Sequence, residues 1–336
     1  MQLSGGSTYI ISLPKNWIEE LKIKVGENVT IVKNSNRSLT LYPRERNEVK
    51  EKTVAVIITS QQDSAETTRR KIIAAYLAGY KTIRIKTKGM RIPVEQTRSI
   101  RNLVRSTMIG TEIVESSSDV MSIQILTRLP ELSFDIALKR MHLMANNMVK
   151  EVMEALEDVD LAHAEDIINM DDEVDRFGLY MRRNLIWAVG NENILQEIGL
   201  EKPSECLGYR TVISRIERIA DHAVMIAKRI KFVDEKIEQK ILVKIKDISQ
   251  KSLEVFEKSV AAVQAHDFEK GEKVAEMVSS IIEEEKQIMN KVKETEKNET
   301  VIRFILEDIR RIAEYSSDIA EVAIDGNIQN VISKEK

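Results

Sequence analysis

Apolar residues change their spacing twice along this chain, and each change marks a change of architecture. Near the N-terminus, Val29 and Ile31, then Leu39 and Leu41, alternate with polar residues at the period of half-buried strands. Asn34-Ser35-Asn36 between them reads as a hairpin loop. Tyr9-Ile10-Ile11 reads as a further strand. It runs into Ser12-Leu13-Pro14-Lys15-Asn16-Trp17, where Pro14 opens a short helix and Ser12 is close enough to cap it. Trp17, Ile18 and Leu21 give that helix one apolar turn, and Val25-Gly26-Glu27 is a turn.

A charged linker at 45–51 follows, and then the period changes. Thr53–Thr59 is an apolar run rich in β-branched residues, which predicts a buried strand. Ala65–Leu77 is helical, with Ile72, Ile73 and Tyr76 on one side and Gly79 as its C′ residue. Thr82–Ile85, Pro93–Met108, Thr111–Val114 and Met121–Leu126 complete the order strand, helix, strand, helix, strand, strand, a small α/β domain. It holds no phosphate-cradling glycine pattern. Arg98, Arg101 and Arg105 share a helix face that reads as a solvated surface more readily than as an anion site.

From about Glu131 onward apolar residues recur at three and four, as in Met141, Met144, Met148, Val152 and again in Ile213, Ile216, Ile219, Ala223, Ile226. Breaks at 189–191, 199–203, 232–234, 265–267 and 298–300 divide this stretch into about six helices. Ser214–Lys228 and Glu307–Glu321 match at six of fifteen positions at an offset of 93, including Arg218/Arg311, Ile219/Ile312 and Ala220/Ala313. The preceding helices align at an offset of 108, Asp175 with Glu283. This predicts a duplicated three-helix unit.

Composition changes the picture in three ways. Only 4% of the residues are aromatic while 31% are charged, which suits long surface helices. Cys206 is the one cysteine, so no internal disulfide exists and a reducing, cytoplasmic setting is expected. Met1–Ile10 lacks a basic flank and a long apolar run, so no signal peptide is expected, and no stretch is apolar enough to span a membrane. The net charge of −3 conceals an asymmetry, since residues 1–128 carry 21 basic and 12 acidic side chains and residues 129–336 carry the acidic excess. A basic front half favours a polyanionic partner.

Two hairpins within about 44 residues cannot build a core alone, so this segment is expected to pair with a second copy. Gly5-Gly6-Ser7-Thr8-Tyr9, Ser12–Trp17 and Val25-Gly26-Glu27-Asn28-Val29 resemble the SpoVT-AbrB family of swapped-hairpin DNA-binding dimers. That family usually places a basic residue ahead of the first strand, and this chain starts Met1-Gln2-Leu3. In the helical part, Glu217-Arg218-Ile219-Ala220-Asp221-His222-Ala223 and Asp171-Asp172-Glu173-Val174-Asp175 resemble the acidic signatures of the PhoU family. Met225 stands where that family often has asparagine. The resemblance implies a multidomain chain: a swapped-hairpin β domain at 1–46, an α/β domain at 52–128, and all-α tandem three-helix bundles at 131–234 and 235–333.

Asp171 with Asp175, and Glu217 with Asp221, are spaced to share helix faces, and two such faces repel unless a cation lies between them. Hard oxygen donors suit Mg, Ca, Mn or Fe, with Zn also possible. The alternative is pairing with Arg182, Arg183, Arg215 or Arg218. In the second copy the matching set is Glu283, Glu314 and Asp318, with Arg310 in place of Glu217 and able to neutralise its neighbours. His222, and less so His163, are further candidate ligands. For DNA the candidates are Lys15, Lys22, Lys24, Lys33 and Arg37, which otherwise keep a small dimer soluble. No nucleophile and base are spaced for catalysis, so an enzyme is not expected. What the two resemblances imply is a phosphate-responsive, DNA-binding regulator of phosphate uptake, acting as a homodimer. The alternative is a metal-binding adaptor that contacts a phosphate transporter or sensor kinase and uses the hairpins only to dimerise.

Overall fold

The computed structural model describes residues 2–4, 8–33, 39–42, 53–126, 134–292 and 298–332. They group into two compact units, Met1–Glu51 and Lys52–Lys336.

In the first unit, β1 (Gln2–Ser4) pairs antiparallel with β2 (Thr8–Ile10), and β3 (Thr30–Lys33) with β4 (Leu39–Tyr42). Between them lies α1 (Lys15–Glu20). Ser12 does not cap α1. Pro14 takes that position, and its carbonyl accepts from the N–H groups of Trp17 at 3.1 Å and Ile18 at 3.3 Å. The turn at Gly26, whose φ is +86°, is closed by Glu27, whose side chain accepts from the Lys24 N–H at 3.0 Å. None of residues 9–31 and 39–41 is buried, and Tyr9, Trp17 and Leu21 are each more than half exposed. The expected loop at Asn34-Ser35-Asn36, the Gly5-Gly6-Ser7 landmark and the linker at 45–51 lie outside the described residues.

The second unit opens with a four-stranded sheet made of β5 (Val54–Thr59), β6 (Thr82–Thr87), β7 (Thr111–Ser116) and β8 (Val120–Ile125), in the order β5-β6-β8-β7. β5 and β6 run parallel and the other pairings are antiparallel. α2 (Ala65–Leu77) and α3 (Val94–Asn102) connect the strands, and α3 continues as a π-helical turn over Leu103–Thr107. Ser64 caps α2 by accepting from the Thr67 N–H at 3.0 Å, and Gly79 closes it at φ +91°. β5 corrects the sequence reading. It is an edge strand that buries Ile57 and Thr59 but exposes Val54, Val56 and Ile58, so an uninterrupted apolar run here does not mean burial on both faces.

Beyond the sheet come α4 (Phe134–Asp158), α5 (Leu161–Val189), a short α6 (Glu192–Glu197), α7 (Glu205–Ile230), α8 (Gln239–Ala265), α9 (Phe268–Met289) and α10 (Glu299–Asn327). The break between α4 and α5 was not legible as glycine or proline. Val159 makes it by adopting φ +55°, a strained state for a β-branched residue, and Asp160 caps α5 by accepting from the N–H groups of Ala162 and His163. The same device joins α8 to α9, with His266 at φ +50° and Asp267 as the cap. Matching these turns sets the offset at 107 residues, not the 108 expected from aligning acids with acids. Burial agrees, since Ala164/Gly271, Ile167/Val274, Val174/Ile281 and Gly178/Glu285 are buried in both copies. Asp171 therefore corresponds to Val278, and Asp175 to Ile282. For α7 and α10, Ile216/Ile309, Ile219/Ile312, Ala220/Ala313 and Ile226/Ile319 are buried in both at an offset of 93.

The two helical units meet where equivalent residues touch. The rings of His222 and Tyr315 lie 5.6 Å apart, and Arg215 pairs with Asp318 at 2.7 Å. On its other side α5 carries the α/β domain. Arg183 is 2% exposed and donates to the carbonyl oxygens of Tyr76 and, at 3.3 Å, Tyr80. Its guanidinium stacks 4.4 Å from the Tyr76 ring and 4.9 Å from that of Trp187. Leu179 completes the α/β core from α5.

Candidate cation site in the first helical unit

α5 and α7 bring four of the candidate acids together. Burial first, then Asp175, Asp221 and Asp172, push the Asp171 carboxyl up to about 7. Asp175 is raised by burial and by Asp221, while Arg182 and Arg69 of α2 pull the other way. Glu217 is also pushed up to about 7, because burial outweighs the guanidinium of Arg182 beside it. Burial is the leading cause for all three, so the cluster is short of water even with Arg182, Arg69 and Lys228 acting on it.

Glu217 shows how local sequence builds this. Its Oε2 accepts from Arg182 at 2.7 Å, but its buried Oε1 has no hydrogen-bond partner. That oxygen lies in a cradle on α5 formed by Gly178, where a Cβ would stand 2.1 Å from it. A glycine inside a 29-residue helix costs about 1 kcal/mol relative to alanine, and here it gives a carboxylate room against the backbone. That isolated glycine was the sequence signal for the cradle. Asp221 accepts from Arg218 at 3.2 Å.

The donor set suits a hard cation, and an orphaned carboxylate oxygen near Asp175 and Asp221 is the kind of group such an ion would relieve. Among the described residues, however, no three His, Cys, Asp or Glu side chains converge closely enough to hold an ion as they stand. Two of the four acids are engaged by arginines. Of the arginines weighed as partners, Arg182 and Arg218 take that role, Arg183 anchors the α/β domain, and Arg215 reaches the second unit instead.

The histidines point elsewhere. His222 Nδ1 lies 2.9 Å from Asp308 Oδ1, and Asp308 also receives Arg229, so this residue ties α7 to α10. His163 sits 3.5 Å from Glu151. The second unit assembles no matching cluster among the described residues. Glu314 accepts from Arg310 and, at 2.9 Å, Arg311; Asp318 is held by Arg215; Glu283 is exposed with Lys286 at 3.9 Å. Where Gly178 faces Glu217 in the first unit, the second unit has Glu285 and Arg310. They line a cleft of about 600 Å³ with Lys286, Arg303 and Glu307.

Of the DNA candidates, Lys15 starts α1 and lies 3.6 Å from Glu19, Lys22 follows α1 at φ +55°, and Lys24 precedes the Gly26 turn. All three are exposed. Lys33 ends β3, and Arg37 lies outside the described residues.

No helix among the described residues is long and apolar enough to cross a membrane. The chain is 26% identical over 194 residues to a phosphate-specific transport system accessory protein PhoU homolog of Clostridium acetobutylicum, spanning 56% of this chain and 87% of that protein. The crystal structure of the phosphate transport system regulatory protein PhoU from Streptococcus pneumoniae aligns with a TM-score of 0.46 and 19% identity, over 60% of this chain and all of that one. The family described as antidote-toxin recognition MazE, bacterial antitoxin, matches residues 2–49, and the PhoU domain family matches residues 138–230. This chain thus carries a PhoU domain, in the helical unit that holds the acid cluster, behind an N-terminal domain of the MazE/AbrB-like type.

Proposed function

We propose that this protein is a phosphate-responsive regulator of phosphate uptake that dimerises and contacts DNA through residues 1–51. The pairing of the two matched domains in one chain carries this reading. The first unit supports dimerisation independently: none of residues 9–31 and 39–41 is buried, and a two-hairpin segment that small needs a partner to bury its apolar side chains. Lys15, Lys22, Lys24, Lys33 and Arg37 supply the phosphate contacts, and a two-fold pair doubles them. DNA retardation by the full chain tests it. Binding is expected to weaken steeply with salt, with a log–log slope of about −0.9 for each phosphate neutralised. Replacing Lys15, Lys22 and Lys24 together by alanine should flatten that slope. No binding even at low salt would sink the DNA reading and leave the adaptor that contacts a transporter or sensor kinase, which the transport-accessory relative favours.

The acid cluster serves in this reading as the cation site. Asp171, Asp175, Glu217 and Asp221 hold the ion, and the cation supplies the positive charge through which an anion such as phosphate is recognised. Binding requires Glu217 to exchange Arg182, and Asp221 to exchange Arg218, for the ion. Elemental analysis of purified protein checks it: metal retained after Glu217→Ala with Asp221→Ala rules this site out. Chemistry on a covalent substrate forms no part of the proposal.

A further inference from the structure

The two edges of the four-stranded sheet are built differently. β7 carries Glu112 and Glu115 and a bulge between Ile113 and Glu115. Charges and bulges are the devices by which an edge strand avoids pairing with another chain. β5, Val54-Ala55-Val56-Ile57-Ile58-Thr59, has no charge, no proline and no bulge. Val54, Val56 and Ile58 are 48%, 56% and 43% exposed.

The hydrogen bonds to β6 show which groups remain free. The carbonyls of Thr53 and Thr59 accept from Thr82 and Lys88. The odd-numbered residues of β5 therefore face β6, and Val54, Val56 and Ile58 turn their N–H and C=O groups outward. Lys71, which also holds Asp63 at 3.2 Å, donates to the outward carbonyl of Ile58 in a long bond of 3.5 Å that a pairing strand would have to displace.

We propose that β5 pairs antiparallel with β5 of a second copy of this chain, joining two sheets across a two-fold axis at Val56. In this register Val56 opposes Val56, and Val54 opposes Ile58, each exchanging both N–H···O bonds. Each of these hydrogen-bonded pairs is β-branched, and no opposed residue is charged, the combination that stabilises cross-strand contacts. The same symmetry at β7 would set Glu112 against Glu115, a like-charge clash. A ladder this short covers far less than the roughly 1,000 Å² of a stable interface. The proposal therefore rests on the dimerisation of residues 1–51 argued above. About 12 residues separate Tyr42 from Val54, a reach of up to roughly 40 Å, so paired N-terminal units hold the two edges at an effective concentration on the order of millimolar.

The test uses the full chain with Cys206→Ser and one added cysteine. Opposed residues of a hydrogen-bonded pair stand about 5.5 Å apart, within disulfide range. Val56→Cys is expected to give a covalent dimer at least tenfold faster than Val114→Cys on β7. Val56→Lys should weaken the dimer about tenfold, and Val114→Lys should not. A dimer by light scattering with no preferential cross-link at position 56 overturns the β5 pairing and leaves the N-terminal one standing. A monomer with no cross-link overturns both. Protection of the β5 amides from exchange without cross-linking assigns the edge to another strand and also overturns the self-pairing.

Discussion

The two helical units share a backbone plan and differ in how they handle charge. In the first, Glu217 lies against Gly178 with an orphaned oxygen, Asp175 and Asp221 stand near it, and Asp171 stands beside those two. In the second, arginine occupies the matching place, and Arg310 and Arg311 hold Glu314. The first copy pairs Glu217 and Asp221 each with one arginine and leaves a buried Glu217 oxygen unbonded, while the second gives Glu314 two arginines. Burial raises Glu217 in the first unit and Glu285 in the second, and in the first an aspartate pair adds to it. The first unit also carries the α/β domain on α5, through Arg183, where the second has Asn290.

Breaking the docking side should cost most. Arg183→Ala removes the guanidinium donor to the Tyr76 and Tyr80 carbonyls and empties a fully packed position, so a loss of about 3 kcal/mol or more is expected in urea denaturation. Asn290→Ala, its counterpart, should stay within about 0.5 kcal/mol.

The acid cluster comes next, and its effect depends on pH. The Glu217 carboxyl is raised to about 7 in the folded protein, above its unfolded value, so its contribution to stability is full below that value and is lost as pH rises through 7. In metal-free buffer Glu217→Gln should therefore match the parent near pH 4 and exceed it at pH 8. The gain at pH 8 is on the order of 1–3 kcal/mol. Mn²⁺ or Mg²⁺ should raise the parent's Tm at pH 8 and leave the variant's unchanged; the reverse result would remove the cation reading.

The second unit should answer with the opposite sign. Arg310→Gln leaves Glu307 and Glu314 with less compensation around the buried Glu285, and a loss of about 1 kcal/mol at pH 8 is expected, shrinking as the pH falls. The smallest effect belongs to Glu283→Ala. It is exposed and only loosely beside Lys286, so neither stability, within about 0.5 kcal/mol, nor metal content should change.

The helical spans and the α/β order were legible because apolar periodicity reports which face is buried, and α2 was read to the residue from Ala65 to Leu77. The turn at Val159 was not, because a left-handed β-branched residue is held there by the packing of α4 against α5 and leaves no local mark. The offset of 108 aligned acid with acid, whereas the true offset of 107 aligns buried face with buried face.

By itself the sequence determined the element types, the duplicated helical plan, the charge asymmetry and the pairs of acids that share a helix face, since these follow from spacing along one chain. Tertiary structure alone decided which acids meet, because facing helices set distances that no single helix encodes. It brought Arg182 to Glu217 and Arg69 toward Asp175, turned His222 away to Asp308, and put β5 at an open edge. The burial that raises Asp171, Asp175 and Glu217 exists only once α5 and α7 are packed.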